Sequence, residues 1–343
     1  MRWNEVGRVA AERGHASSIL VMRGDEVVFE QLVGAQPSDL FYTFSVSKPF
    51  TALAVHLLAH LGRLDLDAPI ADYWPEYAMN GKSSVTVRHV LTHRSGMPYS
   101  TGSALGDALR MADWQASVRA AENAHLRYPP GRVVAYGMLN FGFILGELVC
   151  RVDGRTIDRF IDDEFAQPLG MADTHLALMT DAWQRHVPLV AGHPVEHIRK
   201  EAFNRRAVRE AVIPAAGIQT TARDLAHFYR VLLRNGDGLI PREVIAGARD
   251  VSADGERDHV IGHTVRWGTG FQLGFPSEIR PMGTRANAQM FGHNGSAVCN
   301  VWADPVSDAV FIWLNSVILP HRSGLAHISR LSDVVIEALA STS

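Results

Sequence analysis

The chain has 343 residues, which is enough for one large domain or two smaller ones around a buried core. Apolar residues make up 47% and charged residues 20%, proportions that are ordinary for a globular protein. The formal net charge of −3 gives no reason to expect nucleic acid or an anionic membrane as a partner. Two cysteines cannot form a disulfide framework, so free thiols are expected.

The N-terminal part predicts neither a targeting segment nor a membrane segment. Residues 1–6 contain no uninterrupted apolar stretch that would act as a signal peptide. No window approaches about 18 consecutive apolar residues, which argues against a transmembrane helix. The sequence therefore predicts a cytoplasmic protein with no membrane partner.

Local patterns in the first part of the chain predict a helix, a hairpin and a second helix. The first helix is expected over residues 5–14, and residues 18–34 contain two β-rich runs around a turn at 23–25. From residue 45 to residue 60, large apolar side chains recur at spacings of three and four, which indicates a helix. Gly62 provides a stop for that helix.

The middle of the chain is dominated by helical fragments separated by proline and glycine. The clearest helical patterns cover residues 105–122, 139–152, 156–166 and about 222–234. The C-terminal part has β-rich runs at 297–302 and 309–315 and an amphipathic pattern over 324–340.

Strands at both ends of the chain, with helices between them, predict an α+β fold. We expect an antiparallel β-sheet flanked by helices, in a domain built from residues 1–65 and 211–343. A mostly helical domain is expected to be inserted over residues 66–210.

The strongest chemical motif is Ser45-Val46-Ser47-Lys48 at the start of the second predicted helix. A separation of three residues places Ser45 and Lys48 on one face, so the amine can reach the hydroxyl. A serine hydroxyl is a poor nucleophile until a base removes its proton, and a desolvated lysine with a lowered pKa is such a base. The N-terminus of the helix also offers backbone N–H groups to a developing oxyanion.

Three other patterns carry weaker functional hypotheses. His193-Pro194-Val195-Glu196-His197 matches a zinc-peptidase motif, but the proline favours a loop and a helix start, so a metallopeptidase is only an alternative. His56 and His60 lack an accompanying glutamate and are predicted to be a half-exposed structural pair. The glycine-rich residues 268–274 have one residue too many for a dinucleotide-binding loop.

Around Ser45 the chain resembles the serine β-lactamase and penicillin-binding-protein superfamily, in particular its class C-like and esterase branch. Five stretches carry the resemblance, in the family's order, over most of residues 18–318. They are LFYTFSVSKPFTALAVHLLAHLGRLDLDAPI (40–70), VTVRHVLTHRSGMP (85–98), YPPGRVVAYGMLNFGFILGELVCRVDGRTIDRFIDDEFAQPLGM (128–171), PAAGIQTTARDLAHFYRVLL (214–233) and FGHNGSAVCNVWADP (291–305). The resemblance implies the same fold as the patterns above, with an active site in the cleft between sheet and insertion.

The resemblance also implies catalytic roles. Ser45 is the expected acylated nucleophile and Lys48 its partner. Tyr136 matches the tyrosine of the family's Tyr-x-Asn motif and is expected to move the proton between Ser45 and the leaving group. His293 stands where the family has the lysine of Lys-Thr-Gly, and it is expected to hydrogen-bond on the Tyr136 side and to the substrate.

Further residues are expected to bind the substrate or its oxyanion. The backbone N–H groups of Ser45 and Ser296 are the implied oxyanion hole. Asn294 and Gly295 belong to the strand along which the substrate would lie, and Gly295 is expected to keep that strand free of a side chain. Residues 92–96 resemble a family turn and are predicted to be structural. The tryptophans Trp114, Trp183 and Trp267 are candidates for lining a pocket, but core filling is the expected role of such large apolar side chains.

Two departures from the family pattern affect the expected substrate. Met138 stands where Tyr-x-Asn has its asparagine, and the nearest asparagine is Asn140, two residues further on. In the β-lactam enzymes that asparagine binds an amide of the substrate, which methionine cannot do. Met138 and Asn140 are thus both candidate substrate-binding residues, and the pocket is expected to favour small or aliphatic esters.

The sequence therefore predicts a serine carboxylesterase that acts through an acyl-Ser45 intermediate on a small-molecule ester and needs neither a metal nor an organic cofactor. An acyltransferase with the same acyl-enzyme is the first alternative. A β-lactamase or D-amino-acid peptidase is the second. A non-catalytic binding module that has kept the fold is the alternative from another class, and the oligomeric state is not indicated.

Overall fold

The computed structural model describes residues 2–276 and 280–341. Its helices are α1 (Arg2–Ala11), α2 (Lys48–His60), α3 (Val87–Leu91), α4 (Ala104–Arg110), α5 (Trp114–Asn123), α6 (Asn140–Asp153), α7 (Ile157–Ile161), α8 (His197–Asn204), α9 (Arg206–Arg209), α10 (Ala222–Leu233), α11 (Arg242–Arg249) and α12 (His321–Ala340). Its strands are β1 (Ser17–Arg23), β2 (Glu26–Val33), β3 (Phe41–Tyr42), β4 (Val190–Ala191), β5 (Gln219–Thr220), β6 (Ala253–Arg257), β7 (Thr264–Trp267), β8 (Gln272–Leu273), β9 (Phe291–Gly295), β10 (Cys299–Asp304), β11 (Ala309–Asn315) and β12 (Val317–Ile318).

The main sheet has eight strands in the order β2-β1-β11-β10-β9-β8-β7-β6, and every neighbouring pair is antiparallel. The N-terminal hairpin is joined to the C-terminal strands through the pairing of β1 with β11, so both ends of the chain build one sheet. The α+β prediction is confirmed, since an antiparallel sheet flanked by helices is what forms.

Strand β11 shows why helices cover both faces of the sheet. Successive side chains of a strand point to opposite faces. Val310, Ile312 and Leu314 belong to the core that contains α2 and α10, whereas Phe311 and Trp313 belong to the core that contains α1 and α12. Because both faces of the strand are apolar, each must be covered by a helical layer.

Several predicted elements differ from the observed ones in their bounds. The predicted helix 45–60 begins as a 3₁₀ turn over Phe44–Ser47 and becomes α-helical at Lys48. The pattern over 105–122 forms two helices, because Asp113 accepts a hydrogen bond from the Ala116 N–H and caps a new helix there. Strands β6 to β8 were not predicted, since β6 is almost wholly exposed and β8 has only two residues.

The segment 66–210 contains α3 to α9 and the short strand β4, and it contributes no strand to the main sheet. A single apolar core nevertheless runs from the sheet through α2 into α6 and α7. The division into two domains at residues 65 and 210 therefore stays a prediction. In the ranges 2–276 and 280–341, no helix combines the length and the apolar character needed to cross a membrane.

Buried histidines should make the fold sensitive to acid. Burial lowers the pKa of His56 to about 4, of His293 to about 3 and of His327 to about 4, against 6.5 for a free side chain. The unfolded chain therefore binds protons below pH 6.5 that the folded chain refuses until the pH approaches these lowered values. The free energy of unfolding should fall between pH 6.5 and 4, by about 1 kcal/mol per pH unit for each histidine. Chemical denaturation at pH 7, 6 and 5 measures this loss.

His56 is buried, and its Nε2 lies 3.0 Å from the Thr269 carbonyl oxygen, whereas His60 is exposed. The two histidines therefore do not form the predicted half-exposed pair. His56→Gln should reduce the pH dependence, because an amide keeps a donor but does not titrate. His60→Gln is the control; an equal reduction from both variants would contradict the assignment.

Candidate active site

Ser45 lies in a tight turn that other parts of the chain hold in place. The turn is the 3₁₀ segment Phe44–Ser47, and its first residue has a positive φ of 50°. Ser47 donates a hydrogen bond to the Phe44 carbonyl oxygen at 2.7 Å and accepts one from the Ile218 N–H at 3.0 Å. These bonds join the turn to the segment before β5, so the Ser45 side chain is presented from a fixed backbone.

Lys48 brings an amine to Ser45 from the first turn of α2. Its Nζ lies 3.3 Å from Ser45 Oγ and donates to the carbonyl oxygens of Met138 at 2.7 Å and Ala215 at 3.3 Å. The residue is 1% exposed, and burial holds the pKa of its amine well below the usual 10.5. A buried amine with a lowered pKa is able to accept the proton of a neighbouring hydroxyl.

Tyr136 approaches Ser45 from the other side. Its hydroxyl is close enough to the Ser45 side chain to interact with it, and its ring lies 4.6 Å from Lys48 Nζ. Burial raises the pKa of Tyr136 well above its ordinary value, although the interaction with Ser45 acts in the opposite direction. The phenol is therefore protonated near neutral pH and can give its proton to a group beside Ser45.

Three residues that the sequence analysis did not assign to the site fix the position of Tyr136. The Tyr136 ring stacks on Trp267 at 5.5 Å and packs against His93 at 4.6 Å. His93 Nδ1 accepts a hydrogen bond from the Gly137 N–H, and burial keeps the pKa of His93 well below 6.5. Asp258 Oδ1 accepts a bond from the Tyr136 N–H at 3.2 Å.

His293 lies behind the site rather than in its wall. It is 2% exposed on β9, and its ring lies near Lys48, His93 and Trp267. Nδ1 is 2.7 Å from the Asn294 carbonyl oxygen, which can only accept, so Nδ1 carries the proton. Its ring centroid is 6.3 Å from that of Tyr136, and no hydrogen bond joins the two side chains within the described ranges. The expected bond from His293 to Tyr136 is thus not seen.

A cavity of about 290 Å³ opens in front of Ser45 and Tyr136. Its wall is mostly apolar, and the residues that give it this character include Met138, Val265, Trp267, Leu273, Met282 and Leu325. Trp267 is 2% exposed and belongs to a core cluster with Tyr136, as predicted, and it also lines this cavity. Such a cavity is suited to holding an apolar chain next to the nucleophile.

The two candidate residues after Tyr136 have different positions. Met138 is 40% exposed and lines the cavity. Asn140 is 3% exposed: its amide nitrogen donates to the Met97 carbonyl oxygen, and its Oδ1 accepts from the Phe141 N–H at 2.9 Å. The expectation that Asn140 binds substrate is wrong, because both ends of its amide are used inside the protein.

The turn after β9 lines the cavity together with Tyr136 and packs against the segment before Ser45. A Cβ added to Gly295 would lie 2.0 Å from the Thr43 carbonyl oxygen, so this glycine lets β9 pack against the residue before the Ser45 turn. This packing is a structural reason for the glycine, and the open lane for the substrate stays a prediction. Asn294 and Ser296 line the cavity, but the Asn294 side chain is used by Gln272 and the Ala297 N–H. The Ser296 N–H has no partner among the described residues.

The alternative metal site is not assembled. His193 Nδ1 accepts a hydrogen bond from the Val195 N–H and caps the short turn that precedes α8. Across residues 2–276 and 280–341, no group of three histidine, cysteine, aspartate or glutamate side chains lies close enough to hold a metal ion.

Known proteins share this fold and parts of the sequence. The chain is 27% identical over 314 residues to the "Esterase/beta-lactamase LipL" of Mycobacterium tuberculosis, covering 80% of this chain and 69% of the relative. The crystal structure of a family VIII carboxylesterase superposes with a TM-score of 0.80 at 24% identity, covering 96% of this chain and 97% of the other. EstCE1, described as "a hydrolase with promiscuous acyltransferase activity", superposes with a TM-score of 0.80 at 18% identity, covering 97% of each chain.

The family model for Beta-lactamase matches residues 5–326, which is nearly the whole length of the chain. The match includes the Ser45 turn, the Tyr136 segment and strand β9, so the resemblance read from five sequence stretches is confirmed. The chain belongs to the Beta-lactamase family.

Proposed function

We propose that the protein is a serine carboxylesterase that hydrolyses small or aliphatic esters through an acyl-Ser45 intermediate. The observation that carries the proposal is the contact of one hydroxyl with two proton-transfer groups: the buried amine of Lys48 and the phenol of Tyr136 both reach Ser45 at the end of an apolar cavity. A nucleophile touched by both a base and an acid is the arrangement that acyl transfer requires.

The lowered pKa of Lys48 and the raised pKa of Tyr136 suit these residues to act as base and acid in acylation. The neutral amine of Lys48 takes the proton of Ser45 Oγ as the oxygen attacks the ester carbonyl. The oxyanion of the tetrahedral intermediate is held by the N–H groups of Ser45 and Ser296. Tyr136 protonates the leaving alcohol and regains a proton from Lys48, which restores the neutral amine. A water molecule then repeats the sequence on the acyl-enzyme and releases the acid.

Met138 sets the length of the acyl chain in this proposal. The side chain stands in the cavity wall, two residues after the catalytic tyrosine. Met138→Ala removes three heavy atoms from the wall, so the ratio of kcat/KM for p-nitrophenyl octanoate over butyrate should rise about tenfold. Met179→Ala, at a methionine that is 60% exposed and outside the cavity, is the control and should leave the ratio unchanged. An unchanged ratio in Met138→Ala would remove this residue from the pocket.

Acyl transfer to an alcohol is the second candidate function. The same acyl-enzyme serves both reactions, and the acceptor alone differs. The apolar wall of the cavity favours this candidate, because an alcohol with an apolar body gains burial there that water does not. Addition of an alcohol to a turnover assay should then form a new ester, which chromatography detects.

Covalent labelling tests the proposal directly. A fluorophosphonate should inactivate p-nitrophenyl butyrate hydrolysis, add one phosphonyl group to the intact protein and map to Ser45 after proteolysis. Labelling of another residue would contradict the proposed nucleophile. Failure to label, together with no turnover, would favour the binding module, and rapid turnover of a chromogenic cephalosporin instead of the ester would favour the lactamase.

A further inference from the structure

The turn that carries the Ser296 N–H has an unusual backbone. Ser296 and Ala297 are consecutive non-glycine residues with positive φ angles of 55° and 57°. Such angles cost free energy for side chains that have a Cβ, so the surroundings must hold the turn in this conformation. Asn294 Oδ1 accepts from the Ala297 N–H at 3.1 Å, which satisfies one polar group of the turn from inside.

Arg13, from the loop after α1, holds the turn from one side. Its Nη1 donates to the Ala297 carbonyl oxygen at 2.7 Å, and its Nη2 donates to the Gly324 carbonyl oxygen at 2.8 Å. The guanidinium lies 4.7 Å from the Trp313 ring, and no described carboxylate pairs with it. Holding a half-buried cation away from any counter-ion costs free energy, and the described hydrogen bonds of this guanidinium go to the turn and to the start of α12.

Arg199, from α8, holds the same turn from the other side. Its Nη2 donates to Ser296 Oγ and lies 3.4 Å from the Ser296 carbonyl oxygen. The same guanidinium lies 5.6 Å from the ring of Phe44, the residue immediately before Ser45. Arg199 therefore touches both of the turns that carry the two proposed oxyanion donors.

Two close backbone approaches complete the enclosure. The first is the contact of Gly295 with the Thr43 carbonyl oxygen described above. The second is at Gly324 in α12, where an added Cβ would lie 2.9 Å from the Ala297 Cβ and 3.1 Å from its carbonyl oxygen. Every polar group of residues 296 and 297 then has a partner in the described structure, apart from the Ser296 N–H.

We propose that Arg13 and Arg199 are positioning residues that keep the Ser296 N–H directed at the oxyanion and at a fixed separation from the Ser45 N–H. The proposal rests on the proposed acyl-Ser45 function. Neither arginine touches the reacting atoms; each acts through the turn. An oxyanion donor that drifts by even a fraction of an ångström stabilises the transition state less than it does when preorganised, whereas ground-state binding of the ester changes little.

The test separates kcat from KM. Arg199→Met should lower kcat for p-nitrophenyl butyrate about 10- to 100-fold, with KM within about twofold of wild type. Arg199→Lys should recover part of the loss, because an ammonium can still donate to Ser296 Oγ. Arg13→Lys and Gly324→Ala, which disturb the other side of the turn, should lower kcat in the same direction if either chain folds.

A spectroscopic readout and a matched control exclude a general loss of stability. The carbonyl band of a slowly deacylating acyl-enzyme should move to higher infrared frequency in Arg199→Met, because one hydrogen bond to the carbonyl is weakened. Arg209 is the control: it is fully buried, donates to backbone carbonyl oxygens and lies 5.0 Å from the Tyr42 ring, and no described hydrogen bond joins it to the turn. Arg209→Lys should lower the melting temperature and leave both kcat and the carbonyl band unchanged.

The outcomes distinguish the inference from the function beneath it. If Ser45 is essential but Arg199→Met keeps the wild-type kcat and carbonyl band, the positioning role is wrong and the esterase proposal stands. An equal loss of kcat in Arg209→Lys would likewise contradict the positioning role, because the loss in Arg199→Met would then reflect lower stability of the fold. Wild-type turnover by Ser45→Ala would overturn the function itself, and the positioning role with it.

Discussion

Ser45→Ala should abolish ester hydrolysis, with kcat reduced by about 10⁴-fold or more, while the protein keeps its fold. Alanine offers no oxygen to attack the carbonyl, and the groups around it cannot replace the missing nucleophile. Among the described residues, the Ser45 side chain interacts with Lys48 and Tyr136, whereas the turn is held by the hydrogen bonds of Ser47, so removal of the Ser45 hydroxyl should leave the turn intact. Initial rates with p-nitrophenyl butyrate, measured beside circular dichroism of both proteins, give the result.

Ser47→Ala is the matched comparison two residues away. Its hydroxyl bonds the Phe44 carbonyl oxygen and the Ile218 N–H, so its loss should lower the free energy of unfolding by about 1–2 kcal/mol. The nucleophile stays, and fluorophosphonate should still label the variant. Equal activity of Ser45→Ala and wild type would show that another residue carries the reaction.

Lys48→Met should lower kcat/KM by about 10²- to 10⁴-fold without destabilising the fold in proportion. Methionine fills the same buried space, but the Met138 and Ala215 carbonyl oxygens each lose a donor, so a loss of about 1–3 kcal/mol in the free energy of unfolding should accompany the loss of the base. Lys48→Arg should not rescue the activity, because a guanidinium stays protonated and cannot accept the Ser45 proton. A full recovery in Lys48→Arg would mean that a positive charge, rather than a base, is required there.

The dependence of kcat/KM on pH also tests whether the Lys48 amine acts as a base. A protonated Lys48 cannot accept the Ser45 proton, so kcat/KM should rise with pH through the lowered pKa of this amine and level off below pH 10.5. The acid limb should be absent from the residual rate of Lys48→Met. Its persistence there would assign the limb to a different group.

Site residues that are close together in the sequence could be predicted from local geometry, whereas those that are far apart could not. Ser45 and Lys48 are three residues apart, so helical geometry alone places their side chains together. Tyr136 was identified only through the resemblance, since nothing local in the sequence brings it to Ser45. The sheet was predicted where strands are long and buried, as in β11, but β6 is almost wholly exposed, β8 has two residues and β7 alternates over only four.

The residues that support the site were missed for the same physical reason. Asp258 reaches Tyr136 across 122 positions, and Arg199 reaches Ser296 across 97. Each is an ordinary polar residue until the fold supplies its partner, so no motif marks it. Asn140 shows the opposite error: its position near Tyr136 suggested substrate binding, whereas the direction of its side chain is set by the Met97 carbonyl oxygen.

The three contacts of the Lys48 amine mean that the proposed catalytic base does not form in a partly folded chain. Its carbonyl partners lie 90 and 167 positions away, and an amine that lacks them is an ordinary solvated lysine that stays protonated at neutral pH. The lowered pKa of the Lys48 amine thus requires that the Ser45 turn and the segments at Met138 and Ala215 have already packed together. Recovery of activity during refolding should accordingly trail the return of helical circular dichroism. A chain that is still being synthesised, or that is partly unfolded, should not hydrolyse esters, because its Lys48 amine stays protonated.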